Sequence, residues 1–287
     1  MLDLPDAEDA DRVADWIELL LTIDGESVSR SKLSSIIEQS AGSEPGEAFL
    51  SDVWRFLQRR EGLYAVKYFE VRGDVVHAKE PRPANLLEYQ LCLLFSLYGA
   101  NSEHGSNPKL FERMSAEAIC SYLGGSVFVF GWPALPDVQT AISDRVRQVA
   151  ELMNERFVED PGTQYKDRGV DVIVWKNFVK PTDDAHRPGR LIVLSQCAAG
   201  RGWRMKTSEL PYKSWTQYIH WATEPMMGFA VTCVIDDRVW HDVAREVDGI
   251  VFDRVRLLNS LPNGINDTGL RDELASYVQE QINEASV

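Results

Sequence analysis

"GRLIVLSQCAAGRGW", residues Gly189 to Trp203, is the stretch on which the reading of the whole chain turns. Leu191-Ile192-Val193-Leu194 is a short, continuous apolar run bounded by glycines, the pattern of a strand buried on both faces. It ends in a polar pair, Gln196-Cys197, and then runs into Gly200 and Gly202. Polar groups held at the end of a buried strand are well placed for binding or chemistry, because a rigid element positions them where the chain opens to solvent. Upstream, "GVDVIVW", Gly169 to Trp175, is a second β-branched run. The polar segment "VKPTDDAHRPG" between the two makes the pair a hairpin. Asp171 is the one carboxylate in the first run, where aspartate is poorly suited. By strand alternation it shares a face with Ile173 and Trp175, and in an antiparallel pair it lies beside Gln196.

Further upstream, "NPKLFERMSAEAICSYLGG" is predicted to form a helix with Asn107 as N-cap, Pro108 at the first helical position and a stop at Gly124-Gly125. Glu112 is spaced with Ala116, Ile119 and Leu123 along the apolar stripe facing the sheet. An acid there either needs a partner or metal, or sits at the stripe's edge and reaches water. Downstream, Arg201, Arg204, Lys206 and Lys213 follow the Gln196 strand. They read either as a solvated face or as cations serving a phosphate. "SWTQYIHWATE" is predicted to be a helix and "GFAVTCVID" a strand. "RVWHDVAREVDGIVFDRVRLLNSLP" reads as a further helix and strand, whose Asp253, Arg254 and Arg256 are candidates for structural ion pairs.

Taken in order, "FER…YLGG", "GVDVIVW" and "LIVLSQCAAG" resemble the PD-(D/E)XK nuclease superfamily, most closely its Mrr-type restriction endonuclease branch, over roughly residues 107 to 235. The resemblance implies an α/β, restriction-endonuclease-like core: a mixed central sheet of about four strands flanked by helices, with Mg²⁺ (or Mn²⁺) at the strand ends. It implies Glu112, Asp171 and Gln196 as metal ligands together with the backbone carbonyl of Cys197. Arg201, Arg204 and Lys213 are then expected on the nucleic acid. The last motif is a Q-x-A variant: the position of the family's catalytic lysine holds Ala198, and Lys206, just after the strand, is the expected substitute. Hydrolysis of a phosphodiester at such a site uses a hard cation held by one or two carboxylates and water.

Other chemistries find less support in the sequence. The histidines show no zinc-protease spacing, and "GRG" at Gly200 to Gly202 lacks the ending of a phosphate-binding P-loop. No G-x-S-x-G surrounds Ser195. The four cysteines are widely spaced, without a C-x-x-C pair, and read as small apolar residues.

The chain of 287 residues carries a formal charge of -14, distributed unevenly. Residues 1–52 hold thirteen acids against three bases, and residues 271–287 four acids against one base, which leaves the middle close to neutral. A near-neutral middle is compatible with a local basic groove but lacks the positive surplus of a dedicated DNA-binding domain, and the acidic first region is suited to docking a basic partner or covering that groove. That region reads as three amphipathic helices and a hairpin around Arg72-Gly73-Asp74: a helical, winged-helix-like domain or a plain helical cap over residues 1–80. Residues 81–106 read as a linker helix and 107–287 as the nuclease domain. No apolar run is long enough for a membrane span, and the acidic start is unlike a signal peptide, so a cytoplasmic protein is expected. The function expected is a metal-dependent DNA endonuclease of a restriction or phage-defence system. The alternative is a weakly active or inactive nuclease-fold subunit that binds DNA or a partner protein.

Overall fold

The computed structural model describes residues 2, 4, 7–99, 108–131, 141–162, 169–178, 186–208 and 212–284. The expected N-cap Asn107 lies outside them.

The Gln196 strand is the centre of a five-stranded mixed sheet. It forms β7 (Ile192–Ala198) and pairs antiparallel with β6 (Val172–Trp175), as the hairpin reading requires. On the far side of β6 lies β4 (Ser126–Val129), also antiparallel. On the other side of β7 come β9 (Met226–Val231) and β10 (Gly249–Phe252), both parallel, giving the order β10-β9-β7-β6-β4. Every residue of β6 and all but Cys197 of β7 are buried, in accord with apolar runs that do not alternate.

Three apolar clusters cover this sheet, one of them packing Ala198, Phe229, Val231 and Val251 against Val243 and Val247. Val172, Val174 and Val193 face α5 (Pro108–Leu123), which ends at Gly124 with φ +67°. Ile173, Trp175, Ile192 and Leu194 face a core that includes Val146, Val149 and Met153 of α6 (Ile142–Met153) and Trp215 of α8 (Tyr212–Tyr218). The helix predicted for "SWTQYIHWATE" stops early. Ile219–His220 form β8, which pairs with β5 (Arg156–Phe157), and the cross-strand hydrogen bonds displace the last helical turns. The short α7 (Trp203–Lys206) follows β7, and α9 (Asp237–Val247) lies between β9 and β10.

The first region contains α1 (Ala10–Asp24), β1 (Val28–Ser29), α2 (Arg30–Ala41), α3 (Glu47–Leu63), β2 (Phe69–Arg72) and β3 (Val75–Ala78). Its hairpin turns at Gly73 (φ +57°) as expected. The two-residue β1, too short to leave a pattern in the sequence, completes an antiparallel sheet in the order β1-β3-β2.

The helix after the "EPRPAN" stretch is α4 (Leu86–Tyr98), and it is buried around most of its circumference. A helix apolar all round belongs in a core, and α4 joins α1, α3, α5, α10 (Arg254–Ser260) and α11 (Thr268–Glu284) in one continuous apolar cluster. Arg254 therefore starts a helix rather than ending a strand. It is fully buried, donating to Asp15 Oδ1 at 2.6 Å and to the Tyr64 hydroxyl at 2.9 Å. Arg60 joins the same cluster through Glu18 at 2.6 Å, Asp15 at 2.9 Å and Asp11 at 2.8 Å. Burial alone would raise the Asp15 carboxyl; Arg254 and Arg60 outweigh it and hold Asp15 below the usual carboxylate range. No helix among the described residues is long and apolar enough to cross a membrane.

Candidate metal centre

At the open end of the β6/β7 hairpin, most of the residues singled out from sequence line a single cleft of about 790 Å³. Glu112, Asp171, Gln196, Cys197, Arg201 and Lys206 all contribute to its wall. Three elements supply the polar groups. Asp171 lies one residue ahead of β6, its N–H donating to Ser195 O at 2.9 Å and its carbonyl accepting from Phe130 and Gly131 at 2.6 and 2.9 Å. Its backbone is thus fixed by the strands on both sides. Its side chain is fixed as well, with Oδ2 accepting from the Cys197 N–H at 2.7 Å.

Alternation along β6 would send Asp171 to the face of Ile173 and Trp175, and here the structure corrects the expectation. Because the residue stands at the mouth of the strand rather than inside it, its carboxylate turns across the sheet end towards α5. Gly131 shows how close the two acids come. A methyl group placed there would lie 2.2 Å from Glu112 Oε2 and 2.9 Å from Asp171 Oδ1, so these oxygens are separated by no more than the sum of those distances. Only a residue without Cβ leaves the two carboxylates room to meet at this point.

Glu112 is 8% exposed, which settles the choice between a buried acid and one reaching water at the edge of the stripe. The acid has a partner that the sequence analysis passed over: Lys109 Nζ, one turn earlier on α5, donates to Glu112 Oε2 at 2.5 Å. The signal available was the Lys-x-x-Glu spacing in "PKLFER", which brings two side chains together on one helix face without showing that the face is buried. Gln196 is 7% exposed, and its Oε1 has no hydrogen-bond partner among the described residues. A buried acceptor left unmade costs about 1–3 kcal/mol, so a ligand or water that reached this oxygen would gain by pairing with it. The Cys197 thiol is pushed well above its ordinary range by burial and by the nearby carboxylates of Asp171 and Glu112. It stays a protonated thiol at neutral pH rather than a thiolate.

The four predicted cations are placed differently from one another. Lys206 is exposed on the cleft wall. Arg201, also on the wall, donates to Leu97 O, at the end of α4, at 2.5 Å, and Arg12 of α1 donates to the same carbonyl at 2.6 Å. Arg204 is paired with Glu246 at 2.9 Å. The side chain of Lys213 lies outside the described residues. A second cavity of about 870 Å³ shares Gly200, Arg201 and Trp203 with the first and extends past Arg12 to Arg55 and Phe56 on α3.

Among the described residues, no group of three or more His, Cys, Asp or Glu side chains is placed to hold a metal. The donors gathered here are two carboxylates, a neutral amide oxygen and a backbone carbonyl. They match the ligand demand of Mg²⁺, which keeps several waters and takes one or two carboxylates, and are unlike the nitrogen and sulfur sets of zinc.

No family model matches the chain, and no curated protein matches it in sequence. Among solved structures, a match is found to restriction endonuclease FokI, with 10% identity and a TM-score of 0.23, covering 96% of this chain and 44% of that one. The chain thus spans less than half of FokI's length, and at that score the likeness carries no weight for fold or function.

Gln196→Glu tests the strand end directly. With a metal site there, the variant should melt lower than the natural chain in EDTA, because a third carboxylate crowds Glu112 and Asp171. Mg²⁺ should restore it and bind on the order of tenfold more tightly. Early unfolding in calorimetry that Mg²⁺ does not reverse would mean that no metal is held at this position.

Proposed function

We propose that this protein is a metal-dependent phosphodiesterase acting on DNA, built on a restriction-endonuclease-like core and belonging to a restriction or phage-defence system of the cytoplasm. The observation that carries the reading is the meeting of the Glu112 and Asp171 carboxylates, beside the unpartnered Gln196 oxygen, in one cleft at a strand end. The motif resemblance between "GVDVIVW" and "LIVLSQCAAG" and the PD-(D/E)XK nucleases supports it.

In this reading Asp171, Glu112, Gln196 Oε1 and the Cys197 carbonyl hold Mg²⁺ or Mn²⁺. When bound, the cation activates water and neutralises charge growing on the phosphate. The chain's own part is orientation. Cys197 N–H fixes Asp171, the sheet ladder fixes Gln196, and α5 brings Glu112 to them from a different element. Lys206, exposed on the wall, would be the cation that meets a phosphate entering from solvent. The continuation of the cleft towards α3 suits an extended polymer, and the helix–strand–helix–helix–hairpin order of the first region supports the winged-helix reading of it.

Supercoiled plasmid incubated with the purified protein should be nicked or linearised with Mg²⁺ or Mn²⁺ and left intact in EDTA. Equal cutting in EDTA would refute the reading.

A second reading, a nuclease-fold subunit with little activity that binds DNA or a partner protein, has a specific observation in its favour. Ala198 leaves no lysine on β7, and both Arg201 and Arg204 are engaged within the chain. The acidic first region would then receive a basic partner. It is favoured if no metal supports cutting while gel-shift or pull-down binding persists.

A further inference from the structure

A lysine is seldom buried unless paired, and Lys109, at 9% exposure, is buried against one member of the carboxylate pair. Two carboxylates brought together away from water repel each other and disfavour their own ionisation. A cation beside them removes most of that cost, and among the described residues Lys109 is a cation the fold sets against them. A divalent ion entering between Glu112 and Asp171 would do the same work with twice the charge. It would also meet the Lys109 ammonium at short range, where like charges repel strongly in a poorly solvated site. The ammonium and the metal therefore compete for Glu112 Oε2.

We propose that Lys109 is the resident counter-ion of this site: it holds Glu112 in place before metal arrives and is displaced from it as a divalent cation binds. This rests on the metal-binding reading of the cleft. The consequence for the chain is that metal entry frees a buried lysine from its carboxylate within the site. Lys109 acts through Glu112 and is in that sense a positioning residue.

The test uses the full chain, stripped with EDTA and titrated with Mn²⁺ by calorimetry. Lys109→Met should bind Mn²⁺ on the order of tenfold more tightly than the natural chain, since the competing charge is gone. It should melt lower in EDTA and recover in Mn²⁺, whereas Lys109→Arg should behave like the natural chain. A lysine with a merely structural role would lower the melting temperature in both conditions and leave affinity unchanged, and that result overturns the proposal.

Should Lys109→Met fail to fold, amine labelling of the natural chain read by mass spectrometry decides the matter. Mn²⁺ should raise modification of Lys109 severalfold while exposed Lys206 reacts in both states, and unchanged labelling of Lys109 overturns the proposal. Asp171→Ala separates the two levels. If it binds Mn²⁺ as the natural chain does, the metal is held elsewhere and the site reading itself fails. If it loses Mn²⁺ while Lys109→Met leaves affinity unchanged, only the counter-ion role falls.

Discussion

Asp171→Ala is expected to lower metal-dependent DNA cleavage on the order of 10³-fold or more, to the background of a plasmid assay. Asp171 is the acid held at both ends: its backbone is locked between Ser195 and Gly131, and its carboxylate is aimed by the Cys197 N–H. In the proposed nuclease, removing a group oriented so firmly would take away transition-state stabilisation that a mobile side chain cannot replace. The alanine variant also loses the bond to Cys197 N–H, worth about 1 kcal/mol, so Asp171→Asn is the sharper companion. It keeps an oxygen for that N–H and discards the charge. Asn should therefore melt within a few degrees of the natural chain in EDTA and yet fail to cut. Cleavage by the Asn variant at the natural rate, followed on gels over a time course, would show that the Asp171 charge has no part in the chemistry.

Arg254→Met should destabilise the chain by about 3–5 kcal/mol, the cost typical of breaking a buried ion pair by removing one partner. Arg254 lies fully buried between Asp15, Glu18 and Tyr64, and methionine leaves the two acids with Arg60 as their remaining guanidinium. For a protein of this size such a loss lowers the melting temperature by roughly 10 °C. Arg256→Met, two residues along α10, is the control. Arg256 is exposed and donates to Val251 O at 2.8 Å, and its loss should cost less than about 1 kcal/mol. Urea unfolding of the three proteins side by side checks both numbers, and equal midpoints for Arg254→Met and the natural chain would contradict the packing described here.

The elements around the candidate centre were readable because each carries a local signal. The β6 and β7 strands announce themselves as β-branched runs closed by glycines, and α5 by its apolar period and its Gly124 stop. Asp171, Gln196 and Glu112 stand out because a polar residue in an apolar pattern is costly unless something compensates it. The same reasoning stops short at Lys109, since a three-residue spacing on a helix gives adjacency without burial.

Residue types and periodicity, which act over a few residues, determined the strands, the helix ends and the acids of the cleft. Tertiary structure alone decided the rest, because these facts depend on residues far apart in the chain. Asp15 and Arg254 meet across 239 residues, binding the acidic first region to the sheet through the core around α4. The turn of Asp171 across the sheet end towards α5 likewise depends on Gly131, which leaves space where any other side chain would stand. Long-range pairing and available volume have no local signature in sequence, and they are what brings two isolated carboxylates to one point.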